Sequence, residues 1–163
     1  MKKLFLIALL CTSCARLVPL KNQYDEQSRI AVISRPLQDV LDDFALLAVE
    51  NSYPVESSDA RSGLITVGPT KFPRHGGFES KSGRVPNPDA FIVAERYSDQ
   101  YPDRTDKFTF TASWNLLIVP VDSRTTRIRI KLYDTKAFTS DYTLKGKSTG
   151  RFENWLIEQL SKK

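Results

Sequence analysis

The side chains able to do chemistry are few in this chain, and they are scattered. There is one histidine, His75, in a stretch crowded with Pro73, Gly76 and Gly77. A general base needs a nucleophile or carboxylate fixed beside it, and such a stretch fixes neither. His75 is therefore read as a surface residue. The two cysteines, Cys11 and Cys14, both fall in the first fourteen residues. The rest of the chain has no disulfide or thiol chemistry, and a metal site would have to be built from carboxylates alone. Asp25-Glu26 and Asp42-Asp43 are adjacent pairs, and neighbours on a helix do not face the same way. Gly76-Gly77 lacks the strand–loop–helix setting of a phosphate loop. Arg127, Arg129 and Lys131 alternate, so they line one face of a strand. Only Tyr133 is near them, which is not the aromatic interleaving of a nucleic-acid platform. Two readings of that row stand: a solvated outer face, or a face for an anionic surface such as phospholipid headgroups or lipopolysaccharide. No catalytic residue, metal ligand or cofactor is assigned. The expectation is a non-enzymatic protein that binds no nucleic acid.

The cysteines point elsewhere. Residues 1–14 read MKKLFLIALLCTSC, with basic Lys2 and Lys3, an apolar run from Leu4 to Leu10, and small Thr12-Ser13 before Cys14. That order is a signal segment, far shorter than the ~20 residues needed to span a bilayer. Leu10-Cys11-Thr12-Ser13-Cys14 resembles the lipobox of bacterial lipoproteins, departing from it at Cys11, where Leu is more usual. The resemblance implies a diacylglyceryl group on the Cys14 sulfur, cleavage before Cys14 and acylation of the new amino end. Two or more acyl chains, at ~0.8 kcal/mol per buried CH₂, hold a protein stably on a membrane. Ala15, a non-Asp residue after the cysteine, implies the outer membrane under the sorting rule of enteric lipoproteins. The expected organisation is a signal peptide over 1–13, a lipidated tether over 14–28 and one domain over 29–163. Without Lys2 and Lys3, 22 basic residues face 19 acidic ones, a mild +3 that argues for no particular polyanion.

The elements must then be read from periodicity. With 40% hydrophobic and 26% charged residues over 163 positions, the composition suits one domain with one core. Ser34 to Asn51 predicts an amphipathic helix. Ser34 is placed to cap it, Pro36 suits its first turn, and Leu37, Val40, Leu41, Phe44, Leu47 and Ala48 share a face. Tyr53-Pro54 ends it. Arg29–Ser34, Val55–Ser58, Leu64–Val67 and Ala90–Tyr97 read as strands, and no core residue is expected before Arg29. Residues 68–89 hold Pro69, Pro73, Pro86, Pro88 and Gly76, Gly77, Gly83, and are read as a long loop. It is either a partner- or headgroup-binding loop or a solvated insertion.

Residues 107–121 show the clearest alternation, with Phe108, Phe110, Ala112, Trp114, Leu116 and Ile118 on one face. Thr126–Tyr133 returns with Ile128, Ile130 and Leu132 inward, which predicts a long antiparallel hairpin. Thr149–Lys162 predicts a second amphipathic helix with the stripe Phe152, Trp155, Leu156 and Leu160 closing the sheet, and Lys162 and Lys163 at its negative end. The fold expected is a two-layer α+β domain, β-α-β-β-β-β-β-α, with two helices on one face of an antiparallel sheet. This pattern resembles a helix-grip domain and, on the Pro36-led helix, the Asp59 to Thr66 turn and strand and the terminal Trp155 helix, the domains of BamC (NlpB/DapX-type) outer-membrane lipoproteins. The resemblance implies a membrane-anchored interaction module with an envelope protein as partner. The alternative is a carrier holding an apolar or lipid ligand between sheet and terminal helix, lined by Phe108, Phe110, Trp114 and Trp155.

Overall fold

Alternation of apolar residues along the hairpin creates the longest pairing in the molecule. The computed structural model describes residues 15–24 and 27–162, so the segment expected to be a signal peptide, and Cys14, lie outside the described residues. Among these the order is β1 (Leu17–Val18), β2 (Arg29–Ile33), α1 (Leu37–Glu50), β3 (Val55–Asp59), β4 (Leu64–Lys71), β5 (Gly76–Phe78), β6 (Ile92–Ala94), β7 (Arg96–Tyr97), β8 (Thr109–Pro120), β9 (Thr126–Phe138), β10 (Thr143–Ser148) and α2 (Arg151–Ser161). The fold is α+β, a large, mostly antiparallel sheet carrying two helices. Its strands run β3-β4-β8-β9-β10-β6-β5, while β2 pairs the first half of β9 on the edge away from β8. The one parallel pair among them is β5 with β6.

The hairpin forms with the expected faces inward: Trp114 is opposite Leu132, Leu116 opposite Ile130 and Ile118 opposite Ile128. All six are buried. Both helices cover this inner face, since the Trp114 ring meets Phe44 of α1 edge-on at 6.1 Å and Phe152 of α2 at 5.2 Å. The Trp114 Nε1 donates to Thr70 Oγ1 at 3.0 Å, satisfying the one polar atom that burial of the indole brings inside.

Several expectations need correction. Ser34 makes no cap; Pro36 itself occupies the position before the first turn of α1, with φ −57° and ψ 148°. At the far end of α2, the last carbonyls are met by Arg35, which donates to Leu160 O at 2.9 Å and Lys162 O at 2.6 Å and pairs with Asp43 at 2.5 Å. Residues 68–89 are not a structureless loop. They hold the end of β4 and all of β5, and Phe72, Phe78 and Glu79 are buried. Gly76 is required there because a Cβ would run into the Phe110 ring, so a glycine read as part of a long loop instead admits close packing.

The stretch read as a tether is attached to the body. β1 pairs with β7, with Leu17 opposite Tyr97 and Val18 opposite Arg96. Beyond it the backbone N–H groups of Lys21 and Asn22 donate to the two oxygens of the Glu79 carboxylate at 2.6 and 3.2 Å. The Lys21 ammonium donates to Lys81 O, and the Asn22 amide to Gly83 O at 2.7 Å.

Candidate functional site

The cleft foreseen between sheet and terminal helix is occupied by core. Trp114 and Phe110 are buried, Phe108 is half-buried against Phe78, and Phe152, Leu156 and Leu160 fill the interface from α2. Of the four residues named for that cleft, Phe108 and Phe110 border a small hollow of about 220 Å³, and Trp155 borders a larger open space. Trp155 lies half-buried on the outer flank of α2, its ring 5.8 Å from Phe152 and 6.4 Å from Phe91.

That open space is a cleft of about 710 Å³ between the first half of α2, the turn after α1 and the segment following β4. Three local devices shape it. After α1 the chain reverses at Ser52, with φ 53°, and the Tyr53 N–H returns to Ala48 O at 2.8 Å, which aims the Tyr53 ring at Trp114 and Phe152. After β4, Phe72 turns inward and Arg74 takes φ 67°. His75 is then held on both sides: its carbonyl accepts from Phe91 N at 2.7 Å, and its Nδ1 lies 3.1 Å from Asp89 O. Finally, Gly150 at φ 80° starts α2, so that Arg151, Asn154, Trp155 and Glu158 border the cleft.

The walls are aromatic. His75 stacks flat on Phe91, 4.2 Å apart and 7° from parallel, and Phe91, Trp155 and Tyr53 keep part of their surface open above buried Phe72 and Phe152. The rim carries Lys71 and Arg151 with Asp89 and Glu158. Burial pushes the Tyr53 phenol up to about 12, so at neutral pH it is a proton donor and never a phenolate. The Nδ1 of His75 meets a backbone carbonyl, and its ring forms a flat wall on Phe91. Acid–base chemistry needs a reacting group poised at a second side chain, and the Nδ1 contact of His75 is to the Asp89 carbonyl and not to a carboxylate. No group of three His, Cys, Asp or Glu among the described residues could hold a metal ion. The arrangement is suited to gripping a flat or branched apolar group between rings while the rim reads its flanking charges.

A second surface is the outer face of the sheet. Arg127, Arg129 and Lys131 are exposed there, and Arg129 Nε donates to Ser28 Oγ at 2.8 Å. Beside them Ile30 and Val32 of β2 stand 57% and 58% exposed, opposite Arg129 and Arg127.

His75 and Phe91 were missed as site residues because one was read as surface loop and the other as an ordinary strand residue. Their partnership is set by the parallel pairing of β5 with β6, for which periodicity carries no signal. No protein-family model matches the chain, and no curated protein matches its sequence. No helix among the described residues is long and apolar enough to cross a membrane.

Proposed function

We propose that this chain is a lipid-anchored, non-catalytic binding module of the bacterial envelope, attached through Cys14, whose aromatic cleft receives a side chain of an envelope protein. The observation that carries the reading is the 710 Å³ cleft with its open aromatic walls and mixed-charge rim. Aromatic and Arg anchors in a desolvated centre, with charges around them, are what dominates protein–protein binding energy. The carrier alternative needs room between sheet and α2, where Trp114, Phe152, Leu156 and Leu160 pack. The BamC resemblance agrees with an accessory module of this kind.

The test is a photo-crosslinking residue placed at Trp155, and separately at exposed Arg124 on the β8–β9 turn, in the full chain expressed in bacterial cells. A discrete protein adduct at 155 and none at 124 is the expected result. A lipid-mass adduct at 155 would favour the carrier, and no adduct at 155 would remove the cleft from the function.

A further inference from the structure

The attachment of residues 16–24 has a geometric consequence for any membrane anchor, and it rests on the reading of Cys14 as the acylated residue. Arg16 and Ser98 hold each other by two bonds, Ser98 N to Arg16 O at 2.8 Å and Arg16 N to Ser98 Oγ at 3.1 Å. Leu17 is in register with Tyr97. Leu17 is three residues beyond Cys14, a reach of at most ~11 Å. An acyl group on Cys14 therefore leaves the body no slack, and the β1–β7 end must lie at the bilayer surface.

That end is built for it. Tyr101, one turn beyond β7, is 68% exposed, Leu17 is 50% exposed and Tyr142 is 36% exposed. Tyr142 sits edge-on to Tyr97 with centroids 5.1 Å apart. Tyrosines with apolar bodies and polar tips concentrate at headgroup level. A hollow of about 390 Å³ lies beside Tyr97 and Tyr142, lined also by Ala15, Asp99 and Gln100, and neither polar atom of the Gln100 amide has a partner among the described residues. Asp99 lines it, and the charged residues flanking Leu17, Tyr101 and Tyr142 in sequence are of both signs: Arg16, Asp103, Arg104 and Asp141. We propose that this end of the domain docks on a phospholipid bilayer, with Tyr101, Tyr142 and Leu17 at headgroup level, through apolar and aromatic contact and not through attraction to anionic lipid. Phe108 packs on Tyr142 just before β8 begins, with centroids 5.9 Å apart. The twelve residues of β8 then rise roughly 35–40 Å, carrying the β8–β9 turn away from the membrane.

The test uses the full chain, processed in a bacterium that acylates lipoproteins, with Cys11→Ser and a fluorophore on Tyr101→Cys or on Ser123→Cys. The Cys14 sulfur is blocked by its diacylglyceryl group. The protein is reconstituted into phosphatidylcholine–phosphatidylethanolamine vesicles bearing a headgroup quencher. The label at 101 should lose most of its emission and the label at 123 almost none, at low and high salt alike. Equal quenching at the two positions in protein that floats with the vesicles would overturn the docking while leaving the anchor intact. So would quenching at 101 that needs anionic lipid or vanishes in salt. Protein of unmodified mass that does not float would remove the anchor, and the docking with it.

Discussion

The Tyr24 hydroxyl donates to Oε1 of Glu79 at 2.5 Å, across 55 residues of chain. The same carboxylate, buried at the end of β5, takes the backbone N–H groups of Lys21 and Asn22. Below Glu79, Arg96 is buried too, and it donates to Glu79 O at 2.7 Å and to the carbonyls of Tyr97 and Gln100 at 3.0 Å each. One socket thus ties the strap 16–24, β5 and β7 together.

Glu79→Ala removes the acceptor from three donors. Leaving partly buried donors unsatisfied costs about 1–3 kcal/mol, which for a domain of this size lowers Tm by roughly 3–10 °C. A chain starting at residue 22 should melt below one starting at residue 15, because it lacks β1 and the Lys21 bond. Thermal melts of the three proteins decide it, and equal Tm values would mean the strap contributes nothing.

The parts of this fold legible in the sequence are those with a period. The Phe110-to-Ile118 alternation, the two helices and the β3–β4 turn at 59–63 follow from patterning, because one buried face per element leaves a regular trace. What stayed hidden lacks one. β1 and β7 are two-residue strands, β5 is Gly-Gly-Phe, and β10 (TLKGKS) alternates with only Leu144 as a large apolar residue. Glu79 looked like a loop charge, since nothing local reveals that two backbone amides 57 and 58 residues away will meet it. The same holds for the cleft. Phe72, Phe91 and Trp155 each belong to different segments, and only tertiary pairing brings them onto one wall.

Two tyrosines give an alkaline signature. Burial, reinforced by the hydrogen bond to Glu79, pushes Tyr24 up to about 12, and burial alone does the same to Tyr53. The unfolded chain loses these protons near 10 while the folded one keeps them. Between about pH 10 and 12 the unfolded state therefore binds fewer protons, and stability falls as pH rises. Tyr24→Phe and Tyr53→Phe should each make the decline shallower, measured by denaturant melts across that range. An unchanged slope in both variants would show that these phenols ionise as they do in the open chain.

Glu153, in the first turn of α2, is buried, and burial raises its pKa above the usual carboxylate value although the Ser148 hydroxyl donates its one proton to the carboxylate, lying 2.8 and 2.9 Å from the two oxygens. With the folded value above the unfolded one, its contribution to stability is fully present below the unfolded pKa and is lost as pH rises through the folded one. Glu153→Gln keeps an acceptor for Ser148 and carries no charge to bury. It should raise Tm at neutral pH and narrow the gap between acid and neutral stability relative to the native chain. A variant that melts lower at neutral pH, with the gap unchanged, would show that the carboxylate is a net stabiliser there.

Trp155 and Phe152 share a helical stripe but not a role. Phe152 is fully buried, touching Tyr53, Phe72, Phe91 and Trp114, whereas Trp155 covers the edge of that cluster and keeps one side on the cleft. Removing Phe152 leaves a cavity among rings that cannot collapse around it, at a cost of about 3–5 kcal/mol, a large share of the 5–15 kcal/mol that holds a domain folded. Trp155→Ala loses partial burial and two ring contacts, stacked with Phe152 and tilted with Phe91, closer to about 1–3 kcal/mol. Phe152→Ala should therefore lower Tm by more than Trp155→Ala, and only the second should yield a folded protein in which a cleft-binding partner is lost. Equal drops in Tm would return Trp155 to the core, where helical periodicity alone had put it, and would leave the cleft without its open wall.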